Sequence, residues 1–240
     1  LAHIVAQEDD NLVVVVSAFG KTTNALEQVL KAWIAGDEGY RGLLDDIYKY
    51  HDSVACELFP GGNSAKGRID NSFALLREYL ESAKKEDYDF NYDQIVSYGE
   101  IWSTIIVAEY LGKSNLNSEW IDIRGNLITD DRYRDADILW NESTSRIKSV
   151  FSFRDRNLYV TQGFIGSTIA GRTTTLGREG SDYTAALLAN ILDAQKVVVW
   201  KDVPGLLNAD PKWLDNTVRL DEVSYREAVE MTNSGVQVIH

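Results

Sequence analysis

Leu12 to Val16 reads LVVVV, four β-branched residues behind a leucine, with nothing polar among them. That run is far shorter than the ~20 residues a membrane-spanning helix needs. Without polar alternation it reads as a strand buried on both faces, the kind found in parallel sheets. SAFGKTTN follows, and a helix is expected from about Asn24 to Ala35.

The alternation of strand and helix recurs. Residues 41–59 read as helix, PGGNSAKG (Pro60 to Gly67) as loop, and FALLREYLESAKK (Phe73 to Lys85) as an amphipathic helix. QIVSYGE (Gln94 to Glu100) reads as a second strand running into a turn, with IWSTIIVAEYL (Ile101 to Leu111) as the helix after it. EWIDIRG (Glu119 to Gly125) alternates like a strand with one wet face, and LYVTQGFIG (Leu158 to Gly166) like a strand ending in a glycine-rich turn. A buried helix is expected over Ser181 to Leu192 and a buried strand at KVVVW, Lys196 to Trp200. DVPGLLNADPKW (Asp202 to Trp213) reads as loop, and Ser224 with Glu227 forms a capping box for a helix to Ser234. VQVIH then begins a further strand. This order predicts an α/β fold: a mostly parallel central sheet with helices on both sides. Ligands in such folds sit beyond the carboxyl ends of the strands.

Charge and composition narrow the partner. A net charge of −13 argues against nucleic acid, yet local donors and Mg²⁺ still allow ATP. One cysteine, Cys56, and three scattered histidines exclude a disulfide framework and a cysteine or histidine metal cluster. No membrane segment is read, and a reducing, cytoplasmic setting is expected. The chain opens on Leu1 rather than Met, so residues are expected to precede it.

Four segments carry polar or glycine-rich residues to the expected strand ends. In SAFGKTTN, Gly20-Lys21-Thr22 suggests a P-loop, but Val15 stands where that motif needs its first glycine. Either an anion-binding turn or a plain capped turn remains. In SYGE, Glu100 sits in a first helical turn, where it would complement the helix dipole. TTTLGREGSDYTAALLA (Thr173 to Ala189) is the most informative. Capping explains Ser181 but not Arg178 after a threonine run, and a ligand carboxylate paired with Arg178 would explain it. Asp182 is placed to hold an ammonium group. In WKDVPGLLNADPK, a nucleotide wrap and a plain pair of turns are equally compatible with the residues.

TQGFIG, GRTTTLGREGSDYTAALLA, WKDVPGLLNADPK and GVQVIH, in this order, resemble aspartate kinases of the amino-acid kinase superfamily, as do VVVVSAFGKTTNAL and SYGE. The resemblance runs from about Leu12 to His240. It implies a three-layer α/β/α sandwich in which residues 1–240 are the catalytic domain. It also implies Mg²⁺-ATP-dependent phosphorylation of the side-chain carboxylate of L-aspartate to 4-phospho-L-aspartate, the first step of the aspartate-family pathway leading to lysine and threonine. By position, the aspartate pocket would be Thr23, Glu100, Phe164, Arg178, Ser181 and Asp182, with Asp182 also counted as catalytic. ATP would meet Ser17, Lys201, Asp202, Leu207, Lys212 and Gln237, and no side chain is assigned to metal. Homo-oligomers are left open.

The chain also departs from the family pattern. A KFGG-type opening segment is not seen, and the sequence stops at His240, before the family's usual regulatory domains. Glu179 stands where glycine is usual, Lys201 where threonine is common, Leu207 where tyrosine is, and Gln237 where a lysine often reaches the phosphates. Competing readings are a sister kinase of glutamate, acetylglutamate or a nucleoside monophosphate, and a nucleotide- or amino-acid-binding module without turnover.

Overall fold

A computed structural model describes residues 1–8, 11–61, 64–177, 180–201, 205–209, 213–214 and 216–233. The chain forms two compact units, residues 1–194 and 195–240, each described by itself.

The first unit contains α1 (Ala2–Val5), β1 (Leu12–Val16), α2 (Thr22–Ile34), α3 (Tyr40–Leu58), α4 (Ser64–Ser82), α5 (Tyr88–Val96) and α6 (Tyr98–Lys113). Then come β2 (Ser118–Ile121), a 3₁₀ turn at Ile123–Gly125, β3 (Ile128–Thr129), α7 (Trp140–Val150), β4 (Leu158–Gln162), β5 (Ile165–Thr168), β6 (Thr173–Thr175) and α8 (Gly180–Leu192). One sheet has the order β1-β4-β2, all parallel. A second has the order β3-β5-β6, with β3 parallel and β6 antiparallel to β5.

Side-chain alternation along β1 and β4 fills both faces of the first sheet. Leu12, Val14, Val16, Leu158 and Val160 pack with Val5 of α1 and with Val107 and Leu111 of α6. Val13, Val15 and Tyr159 join the larger core, where Phe151 meets Tyr159 edge-on and α8 adds Leu187 and Leu188. The result is the expected α/β/α layering.

In the first sheet β4, not β1, is the strand buried along its whole length; it is the central strand and pairs on both edges. β1 is half-buried throughout, with a pairing partner on one edge only among the described residues. Gln94 to Glu100 is no strand: α5 ends at Val96 and α6 starts at Tyr98. Asp87 nucleates α5 by accepting a hydrogen bond from the Phe90 amide, a cap that outweighs the β-prone look of QIV. Ser64 opens α4 inside the expected loop, its amide and hydroxyl bonded to the Glu109 carboxylate. EWIDIRG is strand only to Ile121, because Asp122 accepts from the Arg124 amide and turns the chain.

α8 buries a single stripe, Gly180, Thr184, Leu187, Leu188 and Ile191, rather than its whole girth; small alanines and Asn190 occupy much of the rest. α6 is the helix buried on all sides. Phe73 of α4 stacks on its Trp102 at 3.7 Å between ring centroids, and the Trp102 indole donates to Ser72 Oγ at 2.9 Å. Among the described residues no helix is long and apolar enough to cross a membrane.

In the second unit, residues 196–200 form no strand, and Val197, Val198 and Trp200 are exposed. Apolar β-branched composition alone does not make a strand where no neighbour pairs with it, and none does among the described residues. Leu207 bridges to Arg219 in an antiparallel contact, and α9 (Tyr225–Asn233) starts behind the expected capping box. There the Ser224 amide donates to Glu227 Oε2 at 2.9 Å and the Glu227 amide to Ser224 Oγ at 3.3 Å. VQVIH lies outside the described residues.

Candidate active site

Three glycines bring the separated motifs together at the carboxyl ends of β1 and β4. The Gly163 amide donates to the Val16 carbonyl at 3.1 Å, tying the end of β4 to the end of β1. A Cβ on Gly163 would stand 2.6 Å from Ser181 Cα, and one on Gly180 would stand 2.6 Å from the Phe164 ring. A Cβ on Gly99 would stand 3.0 Å from Ala18 Cβ and 3.3 Å from Thr22 Cγ2. SAFGKTT, SYGE, TQGF and GSD therefore meet at backbone distance. Gly163→Ala is expected to push α8 off β4 and cost about 1–3 kcal/mol of stability, as overpacking does. Thermal unfolding checks this against Gly112→Ala, where the new methyl meets open space and melting should hold or rise.

Each motif ends in the first turn of a helix of 13 residues or more: Thr23 in α2, Glu100 in α6, Ser181 and Asp182 in α8. First-turn amides have no partners within their own helix and carry the positive end of the helix dipole. In α2 the N-cap residue, Lys21, makes no side-chain cap, so those amides face the strand end uncapped by it. Phe164 holds a positive φ of 69°, with its amide on Thr184 Oγ1 at 3.0 Å and its carbonyl accepting from Leu176. A bulky residue in that conformation is strained and is kept there by contacts on both sides.

Glu100 is the electrostatic centre of the cluster. It is 3% exposed, and its Oε2 has no hydrogen-bond partner among the described residues. Burial pushes its carboxyl up to about 8, against the opposing pull of its own and the Ala18 backbone amides. A carboxyl so buried ionises readily only when a cation meets it.

Thr23, Glu100, Phe164, Ser181, Asp182 and the exposed Ser17 are thus gathered at one rim of the first unit. Arg178, Asp202, Lys212 and Gln237 lie outside the described residues. Lys201 is exposed and Leu207 half-buried in the second unit.

Two neighbours of the cluster escaped the sequence reading. Gln162 is fully buried; its Oε1 accepts from the Ile123 amide at 2.9 Å and its Nε2 donates to Thr104 Oγ1 at 2.8 Å. It locks β4 to α6 one residue before the Gly163 turn. Asp93 is also fully buried, and burial raises its carboxyl to about 6 although Thr175 and Arg134 donate to it. The sequence signal for its helix was the Asp87 cap followed by Asp89 in the first turn.

The model of the Amino acid kinase family matches residues 1–240. Lysine-sensitive aspartokinase 3 of Escherichia coli is 35% identical over 242 residues, covering 100% of this chain and 53% of that protein. The chloroplastic bifunctional aspartokinase/homoserine dehydrogenase 2 of Arabidopsis thaliana is 32% identical, covering 99% of this chain and 26% of that protein. The crystal structure of E. coli aspartokinase III in complex with aspartate and ADP superposes with a TM-score of 0.86 at 33% identity, covering 97% of this chain and 52% of that one. The chain therefore spans about half the length, or less, of the curated relatives it matches.

Proposed function

This chain belongs to the amino acid kinase family, and we propose that it is the catalytic part of an aspartate kinase. The γ-phosphoryl group of ATP passes to the side-chain carboxylate of L-aspartate: the bond to the ADP oxygen breaks, and a new P–O bond forms, giving ADP and 4-phospho-L-aspartate. One observation carries the reading. A fully buried carboxyl, Glu100, with an unpartnered oxygen among the described residues, sits where three helix N-termini converge. That pairing of an anion with anion-binding helix ends suits a zwitterion carrying an extra carboxylate. Support comes from the similar E. coli structure, whose bound ligands are aspartate and ADP.

In this reading Arg178 pairs with the α-carboxylate and Glu100 with Asp182 takes the ammonium. Thr23 and Ser181 donate to the side-chain carboxylate beside the Phe164 backbone. The acceptor is already ionised at neutral pH, so catalysis rests on placement and charge neutralisation rather than on a strong base. Ser17, Lys201, Asp202, Leu207, Lys212 and Gln237 are proposed to contact ATP. Mg²⁺ would neutralise phosphate charge. In this reading the cation is carried mainly by the nucleotide. The whole of residues 1–240 is read as the catalytic domain, working in the cytoplasm.

Trapping the acyl phosphate with hydroxylamine tests this on the full-length protein with Mg²⁺-ATP. Hydroxamate is expected with aspartate and not with glutamate or acetylglutamate. Signal from glutamate alone would reassign the substrate, and ATP binding by calorimetry with no hydroxamate from any of the three would make the protein a binding module.

A further inference from the structure

β6 is the outer strand of its sheet, yet its outward backbone groups are fully paired. The Thr173 amide donates to Gln94 Oε1 at 3.2 Å, and its carbonyl accepts from Gln94 Nε2 at 2.8 Å. The Thr175 amide donates to Asp93 Oδ2 at 2.9 Å, and its carbonyl accepts from the Ala136 amide at 3.0 Å. Asp93 takes two more bonds, from Thr175 Oγ1 at 2.7 Å and from the Arg134 amide at 3.0 Å. Two consecutive side chains of α5 thus do what a neighbouring strand would do.

We propose that Asp93 and Gln94 are positioning residues for the substrate loop, acting as a side-chain strand that fixes the stem from which Arg178 is delivered. The proposal rests on the aspartate kinase reading for the role of Arg178, and on the hydrogen bonds alone for the fixed stem. Arg178 follows Thr175 by three positions, a reach of at most about 11 Å, so displacement of the stem is passed on. Gly177 narrows the freedom further: its φ is +77°, and a Cβ there would stand 2.9 Å from Asp135 Oδ1. α5 also runs through Ser97 directly into α6, whose first turn carries Glu100. One helix pair therefore sets both proposed ends of the substrate clasp, the Arg178 stem through Asp93 and the carboxyl through Glu100.

The chemistry of the contact gives a conservative rescue. In Asp93→Asn, Oδ1 accepts from both backbone amides while Nδ2 donates to a Thr175 hydroxyl turned to accept. Asp93→Ala instead leaves the buried Thr175 amide and the part-buried Arg134 amide without that acceptor.

Steady-state kinetics on the full-length protein test the proposal. Asp93→Ala is expected to raise KM for aspartate about tenfold or more, with KM for ATP within about twofold of wild type. Asp93→Asn should recover most of that loss. In an Arg178→Ala background, Asp93→Ala should cost under about threefold more, because both changes disable one device. If Asp93→Ala does not fold, Thr175→Val removes a single bond and should shift KM for aspartate in the same direction. Equal rises in both KM values, or full multiplication of the two single effects, would overturn the positioning role.

Amide hydrogen exchange supplies an arm independent of substrate. Exchange in the peptide covering residues 173–177 should accelerate in Asp93→Ala while β4 stays protected; unchanged exchange would overturn the fixed stem. A wild-type protein that phosphorylates no aspartate would remove the reaction assigned above and the role toward Arg178 with it, leaving exchange to decide the stem.

Discussion

Arg178→Ala is expected to lower kcat/KM for aspartate by about 2–5 kcal/mol of transition-state stabilisation, roughly thirtyfold to several thousandfold, because a charged hydrogen bond to substrate is lost from a desolvated site. The residues on either side are held. Leu176 is tied to the Phe164 carbonyl, Gly177 packs on Asp135, and Gly180 packs on the Phe164 ring. A side chain between such anchors is poorly replaced by a neighbour swinging in. Arg178→Lys should recover only part of the loss, since an ammonium cannot make the two parallel bonds of a guanidinium with a carboxylate. KM for ATP should move little. Kinetics at several aspartate concentrations check all three expectations, and wild-type behaviour of Arg178→Ala would make the residue structural.

The motifs that meet in the first unit were more legible than the scaffold around them. Glu100, Ser181 and Asp182 stand in motifs whose glycines and caps are local signals, and Gly99, Gly163 and Gly180 do place these motifs in contact. The parallel sheet was legible too, from apolar runs separated by helical patterns. What failed was the burial read for two of those runs. LVVVV and KVVVW were read as buried strands, yet β1 is half-buried and residues 196–200 form no strand, while LYVTQ is the central strand of the first sheet. Which run becomes the central strand, and which faces are covered, are long-range facts that a hydropathy pattern does not carry. QIV was misread for a related reason: two β-branched residues, Ile95 and Val96, end a helix capped by Asp87. Gln94 was lost with it, and Asp93, just before the expected strand, was given no role. On a helix these adjacent side chains both reach β6, which alternating strand positions would not allow.

Glu100 ties the site to pH. Its carboxyl, lifted to about 8 by burial, is largely protonated at pH 6 in the empty site. A substrate ammonium needs the ionised form, so kcat/KM for aspartate should rise by about tenfold per pH unit between roughly pH 6 and 8, then level off. Stability runs the other way. The folded carboxyl titrates above its ordinary value of 4.5, so the folded protein binds the extra proton; that contribution is complete below 4.5 and is lost as pH rises through about 8. Aspartate reverses the loss by bringing the missing cation, so the melting-temperature gain from saturating aspartate should be larger at pH 8.5 than at pH 6. Glu100→Gln should flatten the pH limb, stabilise the empty protein at high pH, and cost about 2–5 kcal/mol in kcat/KM at pH 8.5, where a neutral amide faces the ammonium. A wild-type profile flat from pH 6 to 8, alongside a large Arg178→Ala effect, would leave Glu100 as a buried acid of the fold and move the ammonium site onto Asp182 alone.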